Sequence, residues 1–171
     1  MGTIIFANDP SNISDPTFEA NSQTSKIFSF NAHTHKTLEK ETIPHEIAEN
    51  YLSSEDRSSA YDLTLNLYQW YNKNSTLKSF EFENINLLGM LDIAEFHDLI
   101  INNLINFLLV KKIIDKEKPG KILTTKNLYD AVKILTLDKK IDVLIYGSNK
   151  QYGLPWDTIQ IKLNLRGIPF S

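Results

Sequence analysis

Two of the chain's four histidines, His33 and His35, stand two positions apart behind the strand-like run KIFSF, residues 26–30. On a strand, residues i and i+2 share a face and could hold a metal together. Here the pair falls in a turn or at a helix start. No HExxH and no Asp/Glu-rich partner motif lies nearby, so the sequence predicts no metal site. Thr34, between the two, reads as the cap of a short helix, with the histidines as flanking residues or ligand contacts. His97 lies within a long helical run and reads as a helix-surface or satisfied core histidine. His45 starts a strand, which places it at the end of a parallel sheet opposite to His33 and His35.

Four strand-like runs end in polar residues. KIFSF runs into Asn31, His33 and His35. HEIAE ends at Glu49 and Asn50. KILTT ends at Thr124 and Thr125, followed by Lys126. DVLIY ends at Gly147, Ser148 and Asn149. Ligands of open parallel sheets bind beyond the carboxyl ends of the strands, so these groups form the predicted ligand-binding rim. The competing reading is that connecting loops are polar in every protein.

Several chemistries have no support. The chain lacks cysteine, which removes disulfides, thiolate nucleophiles and Cys-based zinc sites. There is no GxGxxG, no GxxxxGK[ST] and no GxSxG elbow. Tyr146-Gly147-Ser148-Asn149 is a lone glycine turn, so no cofactor is expected. With a net charge of −3 and no Lys/Arg cluster beyond pairs such as Lys111-Lys112, the chain lacks the concentrated basic patch that nucleic-acid backbones require. The N-terminal MGTIIFANDPSN has no basic segment and too short an apolar run for a signal peptide, and Phe6 stands where a myristoylation site wants Ser or Thr. LIINNLINFLLV, residues 99–110, is about half a membrane span and contains Asn102, Asn103 and Asn106, so it reads as a buried helix. The expected location is cytoplasmic.

The elements that would position the rim follow from periodicity. TIIFAN is a short β-like run, and residues 9–25 read as a polar loop without helical period. HKTLEKETI suggests a short helix broken at Pro44. Ser53-Ser54-Glu55-Asp56 starts a helix to about Asn72, with Ala60, Leu63, Leu67, Trp70 and Tyr71 predicted on its buried face. FEFENINL looks extended. Residues 92–116 form the longest helix, with Ile93, Phe96, Ile100, Leu104, Phe107 and Ile114 as its stripe and a middle apolar almost all round. Lys118-Pro119-Gly120 stops it. KILTT is a strand, NLYDAVKILTLD a helix, and DVLIYG a continuous apolar strand expected to be covered on both faces. TIQIKLNL, 158–165, alternates strictly and reads as a half-exposed edge strand. Alternating strands and helices imply βαβ units. The expected fold is therefore an α/β, Rossmann-like three-layer domain with a mainly parallel sheet, spanning 26–150. Residues 1–25 precede it as a strand and loop, and 151–171 follow as an edge strand.

HEIAENYL (45–52), WY (70–71), INLLGML (85–91, with Met90 where a Leu is usual) and KKIIDKEKPGKILTT (111–125) resemble the N-terminal part of microbial surface-polysaccharide glycosyltransferase-like proteins of two-lobed, GT-B-like build. The resemblance implies an acceptor-binding lobe for a glycan or lipid-linked acceptor. A nucleotide-sugar would be held only by a further C-terminal domain, so this chain would be a lobe that is inactive alone. It carries over no catalytic residue. Two other readings stand beside it. One is a stand-alone small-ligand-binding module. The other is a protein-interaction module that forms homodimers through the C-terminal edge strand.

Overall fold

The computed structural model describes residues 2–67, 81–83, 85–86, 93–147, 163–165 and 168–170. At its centre lies β1 (Thr3–Ala7), whose Ile4, Ile5, Phe6 and Ala7 are all buried. β-Branched and aromatic residues suit a strand, and an unbroken apolar run suits one covered on both faces. The segment after it is not a loop. A 3₁₀ turn over Pro10–Asn12 and helix α1 (Pro16–Ser22) occupy it, each started by an aspartate and a proline. Asp9 accepts from Ser11 N at 2.9 Å, and Asp15 accepts from Thr17 N at 2.8 Å. In each case the proline fixes φ at the first helical position, where no N–H is needed.

β2 (Lys26–Ser29) and α2 (Ala32–Lys40) follow as expected. β3 is only Glu46–Ile47, and the rest of the predicted strand forms a 3₁₀ turn over Ala48–Tyr51. α3 (Ser54–Leu67) opens on a reciprocal cap: Asp56 accepts from both the amide and hydroxyl of Ser53, and Asp56 N donates to Ser53 Oγ. β4 (Glu81–Phe82) and β5 (Ile85–Asn86) form a short antiparallel hairpin. α4 (Ile93–Glu117) stops at Lys118, which turns left-handed with φ 46 ahead of Pro119. β6 (Lys121–Thr124), α5 (Lys126–Thr136) and β7 (Asp142–Ile145) complete the main unit. β8 (Leu163–Leu165) pairs antiparallel with β9 (Ile168–Phe170) in a separate two-stranded sheet, so the described part of TIQIKLNL finds its partner within the chain. Residues 158–162 lie outside the described residues.

The main sheet has five parallel strands in the order β3-β2-β1-β6-β7. Alternate residues serve opposite layers. Ile4, Phe6, Phe28 and Ile122 face α4 and α5, meeting Val110, Ile113, Leu128 and Val132. Ile5, Ala7, Ile27 and Leu123 face α1 and α2, meeting Phe18 and Leu38. The fold is thus α/β, three-layered and Rossmann-like. Helices change face where the strand order reverses, as a constant crossover hand requires. Each fully buried aliphatic side chain contributes about 1.5–3 kcal/mol.

Three burial expectations need correction. β7 lies at the sheet edge, and its Leu144 and Ile145 are 39% and 45% exposed rather than doubly covered. On α3, Ala60 and Thr64 are buried, whereas Leu63 and Leu67 are exposed, because α3 packs mainly on α4. Trp70 and Tyr71 lie outside the described residues. α4 is buried at Leu109, Val110, Ile113 and Ile114, while Ile100, Leu104 and Phe107 are only half-buried. A helix of 25 residues runs about 37 Å, against about 17 Å for a five-residue strand. Only its C-terminal half can lie on the sheet. Among the described residues no helix is long and apolar enough to cross a membrane.

Candidate functional site

The strand order reverses between β1 and β6, and there the carboxyl ends of two neighbouring strands diverge. Such a crevice is where open α/β sheets bind ligands. Asn8 follows β1, and Thr125 follows β6. Thr125 Oγ1 donates to Asn8 Oδ1 at 2.5 Å, and Asn31 Nδ2, from the end of β2, donates to Asn8 O at 2.5 Å. A hydrogen-bonded string therefore runs across the rim of three adjacent strands.

On the α1 side the crevice is filled by the chain itself. Gly147 takes φ +84, and a Cβ there would come within 2.3 Å of the Asn12 side chain. Its amide donates to Asp15 Oδ2 at 3.1 Å. Burial pushes the Asp15 carboxyl up, but its hydrogen bonds from Thr17 and Gly147 prevail and hold it below the usual range. This carboxylate caps α1, where dinucleotide-binding folds place a phosphate. Tyr146 Oη donates to Phe6 O at 2.9 Å, and burial, with Asp15 and Asp9 nearby, pushes its hydroxyl far up.

On the α4–α5 side the crevice is open. A cleft of about 610 Å³ lies between Asn8, the polar face of α4 and the first turn of α5. Leu99, Asn102, Asn103 and Asn106 supply the α4 wall, and Lys126, Asn127, Tyr129 and Asp130 the α5 wall. Asn103 donates to Leu99 O at 2.8 Å. The side chains of Asn102, Asn106 and Asn127 make no hydrogen bond to another described residue, and neither Lys126 nor Asp130 has an ion-pair partner among them. α1 and α2 are capped by Asp15 and Asn31, whereas Thr125, at the start of α5, makes no side-chain cap because its hydroxyl is turned to Asn8. A carboxamide offers a donor and an acceptor side by side, which matches adjacent hydroxyl groups.

The predicted rim residues divide among several places. Thr125 and Asn31 belong to the string beside the cleft. Thr124 is buried, its hydroxyl on Thr125 O at 3.3 Å. Gly147 belongs to the filled half. Ser148 and Asn149 lie outside the described residues. Asn31, His35 and Glu49 line a smaller pocket of about 140 Å³ beside β2 and β3, with Ser29, Ala32 and Ile47. His33 and Asn50 are exposed. Asn31 rather than Thr34 caps α2, accepting from Thr34 N at 2.8 Å, and the Thr34 hydroxyl is buried without a partner. His45 is not remote from His35: His35 Nδ1 and His45 Nε2 are 2.7 Å apart, because β3 is short and begins level with Phe28. Among the described residues no cluster of three His, Cys, Asp or Glu side chains could hold a metal.

Of the cleft residues, Lys126 stood in the predicted rim, whereas sequence reading missed Asn8, Asn102, Asn103, Asn106, Asn127, Tyr129 and Asp130. The signal was present on α4: positions 99, 102, 103 and 106 recur at helical steps and share one face. Comparisons with protein-family models, with curated proteins and with solved structures give no match to this chain.

Proposed function

We propose that the chain binds a glycan in the cleft at the β1–β6 switch point, as the acceptor-binding lobe of a glycosyltransferase-like protein of surface-glycan assembly. The observation that carries the binding half is the row of carboxamides from Asn102, Asn106 and Asn127, which have no hydrogen-bond partner among the described residues and line a cleft beside Tyr129. Planar amides pair with vicinal hydroxyls, and an aromatic ring presents an apolar face to a pyranose. The transferase half rests on the sequence resemblance at 45–52, 70–71, 85–91 and 111–125. The capping carboxylate at α1 disfavours a diphosphate there, which fits an acceptor side.

The test is a titration of the full chain with a panel of neutral and acidic oligosaccharides and with nucleoside diphosphates, read by calorimetry. Saturable binding of an oligosaccharide, lost in Asn106→Ala and Asn127→Ala, is expected. Binding of a nucleoside diphosphate alone, unaffected by those substitutions, would overturn the reading.

A further inference from the structure

A second recess lies at the other end of the sheet from the cleft, where the chain enters β6 and β7. It measures about 490 Å³ and runs between the last turns of α4 and the turn that joins α5 to β7. That is within the range of small-molecule sites, about 300–1,000 Å³. Ile114 and Pro119, both buried, and Ile141 form its floor. The remaining lining residues, Asp115, Lys118, Lys139 and Lys140, are all charged, yet the accessible walls are almost wholly apolar. The two facts agree when the lysines turn their methylene stems to the recess and carry their ammonium groups at its mouth. Backbone hydrogen bonds hold both sides in place: Lys118 N donates to Ile114 O at 2.9 Å, and Lys139 N to Thr136 O at 3.0 Å. Lys139 Nζ ties the sides together, 3.0 Å from Asp115 Oδ1. That pair occupies the one carboxylate of the lining. Lys118 and Lys140 are exposed and have no ion-pair partner among the described residues.

We infer that this recess is a second binding site, for a single-chain anionic amphiphile whose acyl chain lies along Ile141, the floor and the lysine stems, with its carboxylate at the mouth against Lys118 and Lys140. An apolar body with a negative end satisfies the walls and the unmatched cations together. The free carbonyls at the end of α4 disfavour an anion on the floor, which keeps the charged end outward. A bare anion would leave the apolar walls wet, and a neutral alcohol would leave both lysines unmatched. The inference is independent of the glycan reading, since the cleft lies at the opposite ends of the strands.

The test uses the full chain with ¹³C-labelled isoleucine methyl groups, titrated with hexanoate, octanoate and decanoate below their micellar range. The methyl signals of Ile114 and Ile141 should shift saturably, and that of Ile145, in the cleft, should not. Affinity should rise about threefold per added methylene and fall in high salt. Lys118→Met combined with Lys140→Met keeps the apolar stems and removes both charges. It should weaken decanoate about fivefold and leave decanol unchanged. Equal affinity for acetate and decanoate would reduce the site to surface ion association and overturn the inference. Equal affinity of the unaltered chain for decanol and decanoate would overturn it as well. Phosphatidylglycerol vesicles separate a soluble ligand from a bilayer: retention on them without any methyl shift from decanoate would overturn the inference in favour of a membrane-docking surface. A failure of oligosaccharides to bind the cleft leaves each of these readouts unchanged.

Discussion

Thr125 and Asn8, 117 positions apart in the chain, are joined side chain to side chain by a hydrogen bond of 2.5 Å at the ends of the two strands that flank the reversal in sheet order. The bond uses the hydroxyl that would otherwise cap α5 and fixes one wall of the cleft against the other. Thr125→Val keeps the side-chain shape and removes the donor. The expected cost is about 1 kcal/mol, since Asn8 retains partial access to water. Urea denaturation checks it, and an unchanged midpoint would show that the bond does not hold the rim.

The core lies under the C-terminal half of α4, not along its whole length. Ile113 is fully buried, while Leu65 on α3 is 48% exposed. Ile113→Ala should cost about 2–5 kcal/mol, and Leu65→Ala within about 0.5 kcal/mol. Comparable losses at both positions would mean that the α3 surface is covered in solution.

Gly147 is expected to tolerate no side chain. Its left-handed backbone costs an L-residue about 1–2 kcal/mol, and the added Cβ would meet Asn12 at 2.3 Å. Gly147→Ala should therefore lower stability by about 1–3 kcal/mol. Asn12→Ser in the same background should recover part of that loss. Thermal unfolding of the single and double variants decides it; a neutral Gly147→Ala would show that the β7 turn is free of the β1–α1 segment.

Acid should weaken the fold through its ion pairs. The Lys112 ammonium, with the hydroxyl and amide of Ser53, holds the Asp56 carboxyl at about 2 against an ordinary 3.8. A lowered folded-state value contributes stability in full above the unfolded value and loses it as pH falls through the folded one. Glu117 and Glu46 act in the same direction. Lys26 lies 2.8 and 2.9 Å from them and lowers both. The Tyr51 hydroxyl shares its proton between the same two carboxylates, 2.7 Å from Glu46 and 2.9 Å from Glu117. The urea midpoint should fall between pH about 4.5 and 2, and less steeply in Lys112→Met. An identical acid slope in that variant would remove the Asp56–Lys112 pair from the account.

Much of the fold was legible because strands and helices alternate with clear boundaries from Lys26 to Ile145. α2, α4, β6, α5 and β7 lie close to where periodicity and stop signals put them. What escaped was governed by capping and by neighbours. Asp9-Pro10 and Asp15-Pro16 looked like loop composition, yet each is a helix start whose proline needs no N–H. β1 looked peripheral because it comes first, although its unbroken apolar run marks a strand covered twice. The apolar face of α3 depends on which helix packs against it, and DVLIYG on whether a further strand lies beside it. The asparagines of α4 drew notice only as residues unfit for a membrane. Their spacing becomes meaningful once the reversal in strand order sets that helix face against α5.

Placing the earliest strand in the middle of the sheet has a price in time. β1 can pair with Lys26–Ser29 soon after both have left the ribosome, but its other edge waits for Lys121–Thr124. Until that late segment arrives, the most apolar strand shows an open row of backbone donors and acceptors. Closure must bridge a long loop, so the step that completes the sheet is entropically slow. The nascent chain is most prone to mispairing during that interval, and the rim string through Asn8 can form only when it ends.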